Sequence, residues 1–112
     1  MKEVKAYVRC QKVEAVFEAL DEAGIKGVTL IDVLGIGSYS DPTTAKYSFE
    51  CVEKYSDLAK LELVCSDADV HRIVEIIRTT AYSGMKGDGI VFVSPVDMAV
   101  RIRTGAVGES DF

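Results

Sequence analysis

Gly87, Asp88 and Gly89 make a Gly-Asp-Gly turn ahead of a short apolar run, Ile90 to Val93, and the stretch that follows carries arginines at alternate positions, Arg101 and Arg103, before Thr104 and Gly105. Glycines have no Cβ, so their backbone N–H groups can come close to an anion. Arginines two apart on a strand point to the same face, and their planar forks match phosphate oxygens. Together these features read as a phosphate site. The same residues also read as a plain hairpin turn followed by a solvated strand face, and spacing alone does not choose between the two.

The elements that must hold these residues are visible as periodicity. Val4, Ala6 and Val8 alternate with Lys5, Tyr7 and Arg9, as in a half-buried strand. Val13, Val16, Phe17, Leu20 and Ala23 recur at helical spacing, and Gly24 supplies a stop, so a helix is expected over 12–23. Residues 28–36 are apolar on both faces and read as a central strand. In 37–57 the pattern fails: Ser, Asp, Pro and Thr crowd its start, and a loop of this length in a small domain tends to be functional. Alternation returns with Ala59, Leu61, Leu63 and Cys65 on one face and Lys60 and Glu62 on the other. Ser66 and Asp69 resemble a capping box, and Val70, Ile73, Val74 and Ile77 give a second helix its buried stripe. Strands are expected at 90–93 and 97–103, separated by Ser94-Pro95. This order is α+β, a ferredoxin-like split βαβ repeat with an antiparallel sheet and two helices on one face. Its bare sheet face is expected to be a large apolar patch that must meet something.

At 112 residues the chain is one domain, 1–112, with 48% hydrophobic content for a core and a net charge of −5. An acidic chain is poorly suited to nucleic acid, which demands a basic surface. No apolar run approaches the roughly 20 residues of a membrane helix, so no membrane insertion is expected. Lys2, Glu3 and Lys5 leave no signal-peptide pattern. Cys10, Cys51 and Cys65 are odd in number and lack metal-like spacing, which suggests reduced thiols in a cytoplasm and no metal site. Cys65 closes an apolar face. His71, the only histidine, falls on the polar side of a helical pattern.

From Ser83 to Gly105 the chain resembles the signature of the PII signal-transduction family, in which a glycine loop leads into Gly-Asp-Gly, a short strand and an Arg-x-Arg-Thr-Gly ending. Residues 24–29, Gly35-Ile36-Gly37 and Ile76-Ile77-Arg78-Thr79 fall where family members carry similar runs, so the resemblance spans essentially the whole chain. It implies a homotrimer with sheets packed inward and an adenine nucleotide (ADP, AMP or ATP) in the clefts between subunits. Carried over by position, Gly35, Gly37 and Ser38 lie at the root of the long loop beside the phosphates. Gly87, Asp88 and Gly89 in the loop 82–89 cradle phosphates and ribose. Gly27, Val28, Thr29, Glu62 and Val64 frame the base and ribose. Arg101 and Arg103 reach phosphate from the neighbouring subunit, and 103–112 forms the C-terminal segment. This set supplies no activated nucleophile or general base, so a sensor is expected and not an enzyme.

The chain departs from the family pattern at four places. Ile90 replaces a lysine for the outer phosphates. Ser38 and Tyr39 replace an arginine and the glutamine that helps hold magnesium and 2-oxoglutarate. Leu58 replaces the lysine that pairs with 2-oxoglutarate, and Cys51 replaces the tyrosine that is uridylylated. The resemblance therefore implies a regulator that keeps the base and inner-phosphate half of the site. Tyr39, Tyr47, Phe49, Cys51 and Tyr55 of the long loop would face a membrane transporter or metabolic enzyme. That loop is expected to order only with a ligand or target. Two other classes fit less well: a trimeric small-anion or metal-binding protein without nucleotide sensing, and a small enzyme acting on phosphates.

Overall fold

Two strands that alternate up to their paired ends at Arg9 and Leu58, both buried, form the centre of the sheet. β1 (Lys2–Arg9) buries Val4, Ala6 and Val8, and β3 (Leu58–Cys65) buries Ala59, Leu61, Leu63 and Cys65. They pair antiparallel from Lys2 opposite Cys65 to Arg9 opposite Leu58. The structure is a computed structural model, and it describes residues 1–33 and 58–108. β2 (Thr29–Val33) pairs with β3, and β4 (Ile90–Pro95) pairs with β1, giving a four-stranded sheet in the order β2-β3-β1-β4 with every pairing antiparallel.

Helices α1 (Val13–Glu22) and α2 (Val70–Ala81) both cover one face. Val16 and Leu20 from α1 and Ile73, Ile77 and Ala81 from α2 form a single buried cluster with the inward residues of β1 and β3. Gly24 ends α1 as expected. At φ +87 it donates its N–H to the Asp21 carbonyl at 3.0 Å, while Ile25 donates to Leu20 at 2.9 Å, the paired bonds of a Schellman motif. Arg72 of α2 adds a hydrogen bond to the Ala23 carbonyl at 2.8 Å, which ties the two helices at that end. This is the expected ferredoxin-like arrangement.

Four expectations need correction. The 28–36 run is not central: β2 is the outer strand, and Thr29 to Asp32 are exposed. Its apolar character on both faces therefore reflects an edge left open in a single chain. No strand forms over 97–103. β4 extends through Ser94 and Pro95 at the edge, where proline is tolerated. The chain then turns back through Ala99–Gly108 as a small arm. Its turn has Arg101 N–H bonded to the Ala106 carbonyl at 2.9 Å and Gly105 N–H bonded to the Arg101 carbonyl at 2.8 Å, and one isolated bridge, Val100–Val107, lies across it. Arg101 and Arg103 thus sit in a turn and do not alternate along a strand.

The Ser66–Asp69 capping box is also absent. Ser66 Oγ donates to the Asp69 carboxylate at 3.2 Å, and a short 3-10 turn, Asp67–Asp69, precedes α2. The bare face, finally, is not a large apolar patch. Its rows run Thr29, Glu62, Lys5, Phe92 and Ile31, Lys60, Tyr7, Ile90. Ion pairs Lys60–Glu62 at 2.9 Å and Lys5–Glu3 at 3.2 Å are laid among the apolar groups.

Candidate functional site

The connection Tyr82–Gly89 between α2 and β4 is built around one carboxylate. Asp88 Oδ2 accepts the N–H of Ser83 at 2.8 Å and of Gly84 at 2.9 Å, and Oδ1 accepts the Ser83 hydroxyl and Arg9 Nε, the latter at 3.3 Å. Arg9 Nη2 donates to the Lys86 carbonyl. Burial alone would push the Asp88 carboxyl up. The hydrogen bonds from Ser83, Gly84 and Arg9 outweigh it and hold the carboxyl at about 2. Asp88 therefore spends its charge inside the loop. Of the sequence-predicted trio, Gly87 is half-buried and Gly89 exposed, while the Asp88 side chain is bonded into the loop and organises it. Gly84, Gly87 and Gly89 all have positive φ. At Gly89 the requirement is steric as well, because a Cβ there would lie 1.6 Å from the Tyr7 carbonyl oxygen.

Arg9 was not singled out by sequence reasoning. Its place in an alternating strand suggested a solvated residue, yet it is buried. The one available signal was a strand-terminal arginine with an Asp-containing glycine loop elsewhere in the chain. Tyr7 and Phe92 were missed too. They lie on the bare face beside Ile90, with ring centroids 6.2 Å apart and planes at 86°, and offer aromatic surface next to Gly89. A cavity of about 330 Å³ opens between α2 and this edge of the sheet, with Val74, Ile77 and Ala81 of α2 facing Val8, Gly89 and Val91 in its wall.

The remaining described site residues gather elsewhere. Thr29 pairs with Glu62, and Glu62 is hydrogen-bonded to Lys60, whose pKa is raised first by that bond. Gly27 and Val64 line one hollow of about 160 Å³. Val64 and Arg101 line another of about 210 Å³, with Ala99, Val100 and Gly108. Val28 packs against the core as a partly buried residue. Arg103 is exposed at the tip of the arm beside Ile102, which is fully exposed. Gly27 and Thr29 therefore belong to the β2 side, and Gly87 and Gly89 to the β4 side. Three strand spacings, about 14 Å, separate Thr29 from Phe92, the β4 residue in its row. One chain does not bring the two groups together.

Two of the four departures can be followed here. Leu58 is fully buried, opposite Arg9 in the register, and Ile90 opens β4 half-exposed next to Gly89. Gly35, Gly37, Ser38, Tyr39, Tyr47, Phe49, Cys51 and Tyr55 lie outside the described residues. Among the described residues no cluster of three or more His, Cys, Asp or Glu is placed to hold a metal ion, and no helix is long and apolar enough to cross a membrane. Cys65 is buried, and burial raises its thiol pKa.

A family model described as nitrogen regulatory protein P-II matches residues 1–106. The chain is 40% identical to a nitrogen regulatory protein P-II of Azospirillum brasilense over 108 residues, 96% of both chains. It is 36% identical to that of Rhizobium meliloti (strain 1021), again with 96% of both covered. Against nitrogen regulatory protein P-II 2 of Methanothermobacter thermautotrophicus the identity is 40% over 113 residues, covering 97% of this chain and 95% of the relative.

Proposed function

The chain belongs to the nitrogen regulatory protein P-II family, and from that premise we propose that it is a signal-transduction regulator that binds an adenine nucleotide between the subunits of a homotrimer. The observation that carries this reading is the separation of the site. The glycine loop with Gly87 and Gly89 stands at one edge of the sheet, and Gly27, Thr29, Glu62, Val64 and Arg101 gather toward the other. Two edges of one sheet do not meet around a ligand, but the β4 edge of one copy can meet the β2 side and arm of the next.

The donors fit a nucleotide. Arg101 and Arg103 suit phosphate oxygens, the glycine backbone gives close approach, and Tyr7 and Phe92 give aromatic surface beside it. With Asp88 compensated from within, its charge opposes an incoming phosphate less than a free carboxylate would. Gly35, Gly37 and Ser38 complete the phosphate side in this reading. Tyr39, Tyr47, Phe49, Cys51 and Tyr55 face the regulated protein, a transporter or metabolic enzyme. Regulation is by differential binding: a nucleotide that favours one conformation shifts the fraction of molecules able to dock. The protein works in the cytoplasm, by binding and not by turnover.

Light scattering tests the assembly on which the site depends. A trimer mass at micromolar concentration is expected. A stable monomer would leave Arg101 and Arg103 with no neighbouring glycine loop to face and would remove the reading.

A further inference from the structure

The last described row of the sheet joins three elements that are remote in sequence. Val33 pairs with Leu58, and Leu58 pairs with Arg9. On the far side of Arg9, β4 has not yet begun, since the last β1–β4 pair is Tyr7–Ile90. The 82–89 connection takes that place, with Asp88 and the Lys86 carbonyl on the Arg9 guanidinium. Among the described residues, Val33 is the last of β2 and Leu58 the first of β3. Leu58 is fully buried and Arg9 is 9% exposed, and close-packed interiors have little room to absorb a displaced side chain.

We propose that Arg9 is a positioning residue that couples the glycine loop to the Val33–Leu58 pair. Its guanidinium donates in two directions from one plane, Nε to Asp88 and Nη2 to the Lys86 carbonyl. A change in the loop therefore turns or releases the side chain at the end of β1, where Leu58 is the cross-strand partner of Arg9. A lysine would keep the charge but supply a single point of attachment. Under the nucleotide reading, on which this consequence alone rests, phosphate held by the loop is felt at Val33 and Leu58 through Arg9.

Amide hydrogen exchange without any ligand tests the link in wild type, Asp88→Asn, Arg9→Met, Arg9→Lys and the double variant Arg9→Met/Asp88→Asn. Asp88→Asn touches neither Val33 nor Leu58. It is expected to speed exchange over 31–33 and 58–60 at least tenfold while residues 61–63 change less than twofold. Added to Arg9→Met, it should produce no further change at those ends. Arg9→Lys should fail to restore wild-type protection. Wild-type exchange at the strand ends in Asp88→Asn would overturn the link, as would an equal added acceleration in both backgrounds. If Arg9→Met does not fold, the Arg9→Lys comparison decides, and full protection in that variant overturns the proposal. A last arm adds ADP to wild type. Coupling in the cycle with no effect of ADP leaves the link standing and removes only the step from bound phosphate to Val33 and Leu58; nucleotide binding itself is decided by calorimetry.

Discussion

Gly89 and Tyr7 are packed backbone against backbone: a Cβ built on Gly89 would stand 1.6 Å from the Tyr7 carbonyl oxygen, at φ +100. Neither the flexible end of a side chain nor open space is available to absorb that contact. Gly24 is the natural comparison, because its φ is +87 and a Cβ there would meet nothing within 4 Å. Gly24→Ala should cost only the left-handed backbone penalty, about 1–2 kcal/mol. Gly89→Ala must also displace β1 or the loop and should cost about 3–4 kcal/mol in total. Urea unfolding of the two variants decides this. Equal losses would mean that the close approach is not a constraint.

The second prediction concerns acid. The Asp88 carboxyl is lowered from 3.8 to about 2, so the folded state binds its proton less readily than the unfolded state does. Its contribution, about 2 kcal/mol, is fully present above pH 3.8 and is lost as pH falls toward 2. Asp88→Asn should remove that part of the pH dependence and lower stability at neutral pH. Unfolding measured from pH 6 to 2 checks it. Parallel curves for wild type and variant would contradict the assignment.

Much of this architecture was legible because the central strands, up to the Arg9–Leu58 row, bury one face. The alternation of Val4, Ala6 and Val8 and of Leu61, Leu63 and Cys65 is forced by a sheet with helices on one side, and Gly24 announced the end of α1. What misled was context. The apolar 28–36 run looks identical whether its neighbours are strands of the same sheet or another copy of the chain. Arg101 and Arg103 alternate in sequence, but the hydrogen bonds from Arg101 to Ala106 and from Gly105 to Arg101 close a turn around them. Asp88 was placed in the site by its motif, and its inward role could not be read without Arg9, 79 positions away.

Third, the outer phosphate should add little. Ile90 follows Gly89 directly and offers no charge, so ADP or AMP should bind as well as ATP or better. Losing one charge-assisted contact is worth about 1.5–3 kcal/mol. Ile90→Lys should move the preference toward ATP by about that amount. Calorimetry with ATP at least tenfold tighter than ADP on the unaltered protein would contradict this.

Fourth, 2-oxoglutarate should have little effect. Leu58 is fully buried and apolar, and a carboxylate brought there without a charged partner is unfavourable. Tight binding of 2-oxoglutarate in the presence of Mg-ATP would show that another residue, such as Lys54 or Lys60, has taken over the pairing.

If a nucleotide site is completed by the arm of a neighbouring chain, titration calorimetry of ADP against wild type and Arg103→Ala will show it. Wild type is expected to bind one ADP per chain. Arg103→Ala is expected to keep the wild-type oligomer and bind ADP at least tenfold more weakly, about 1.4 kcal/mol or more. No binding of ADP, AMP or ATP to wild type, or unchanged affinity in Arg103→Ala, would contradict the account.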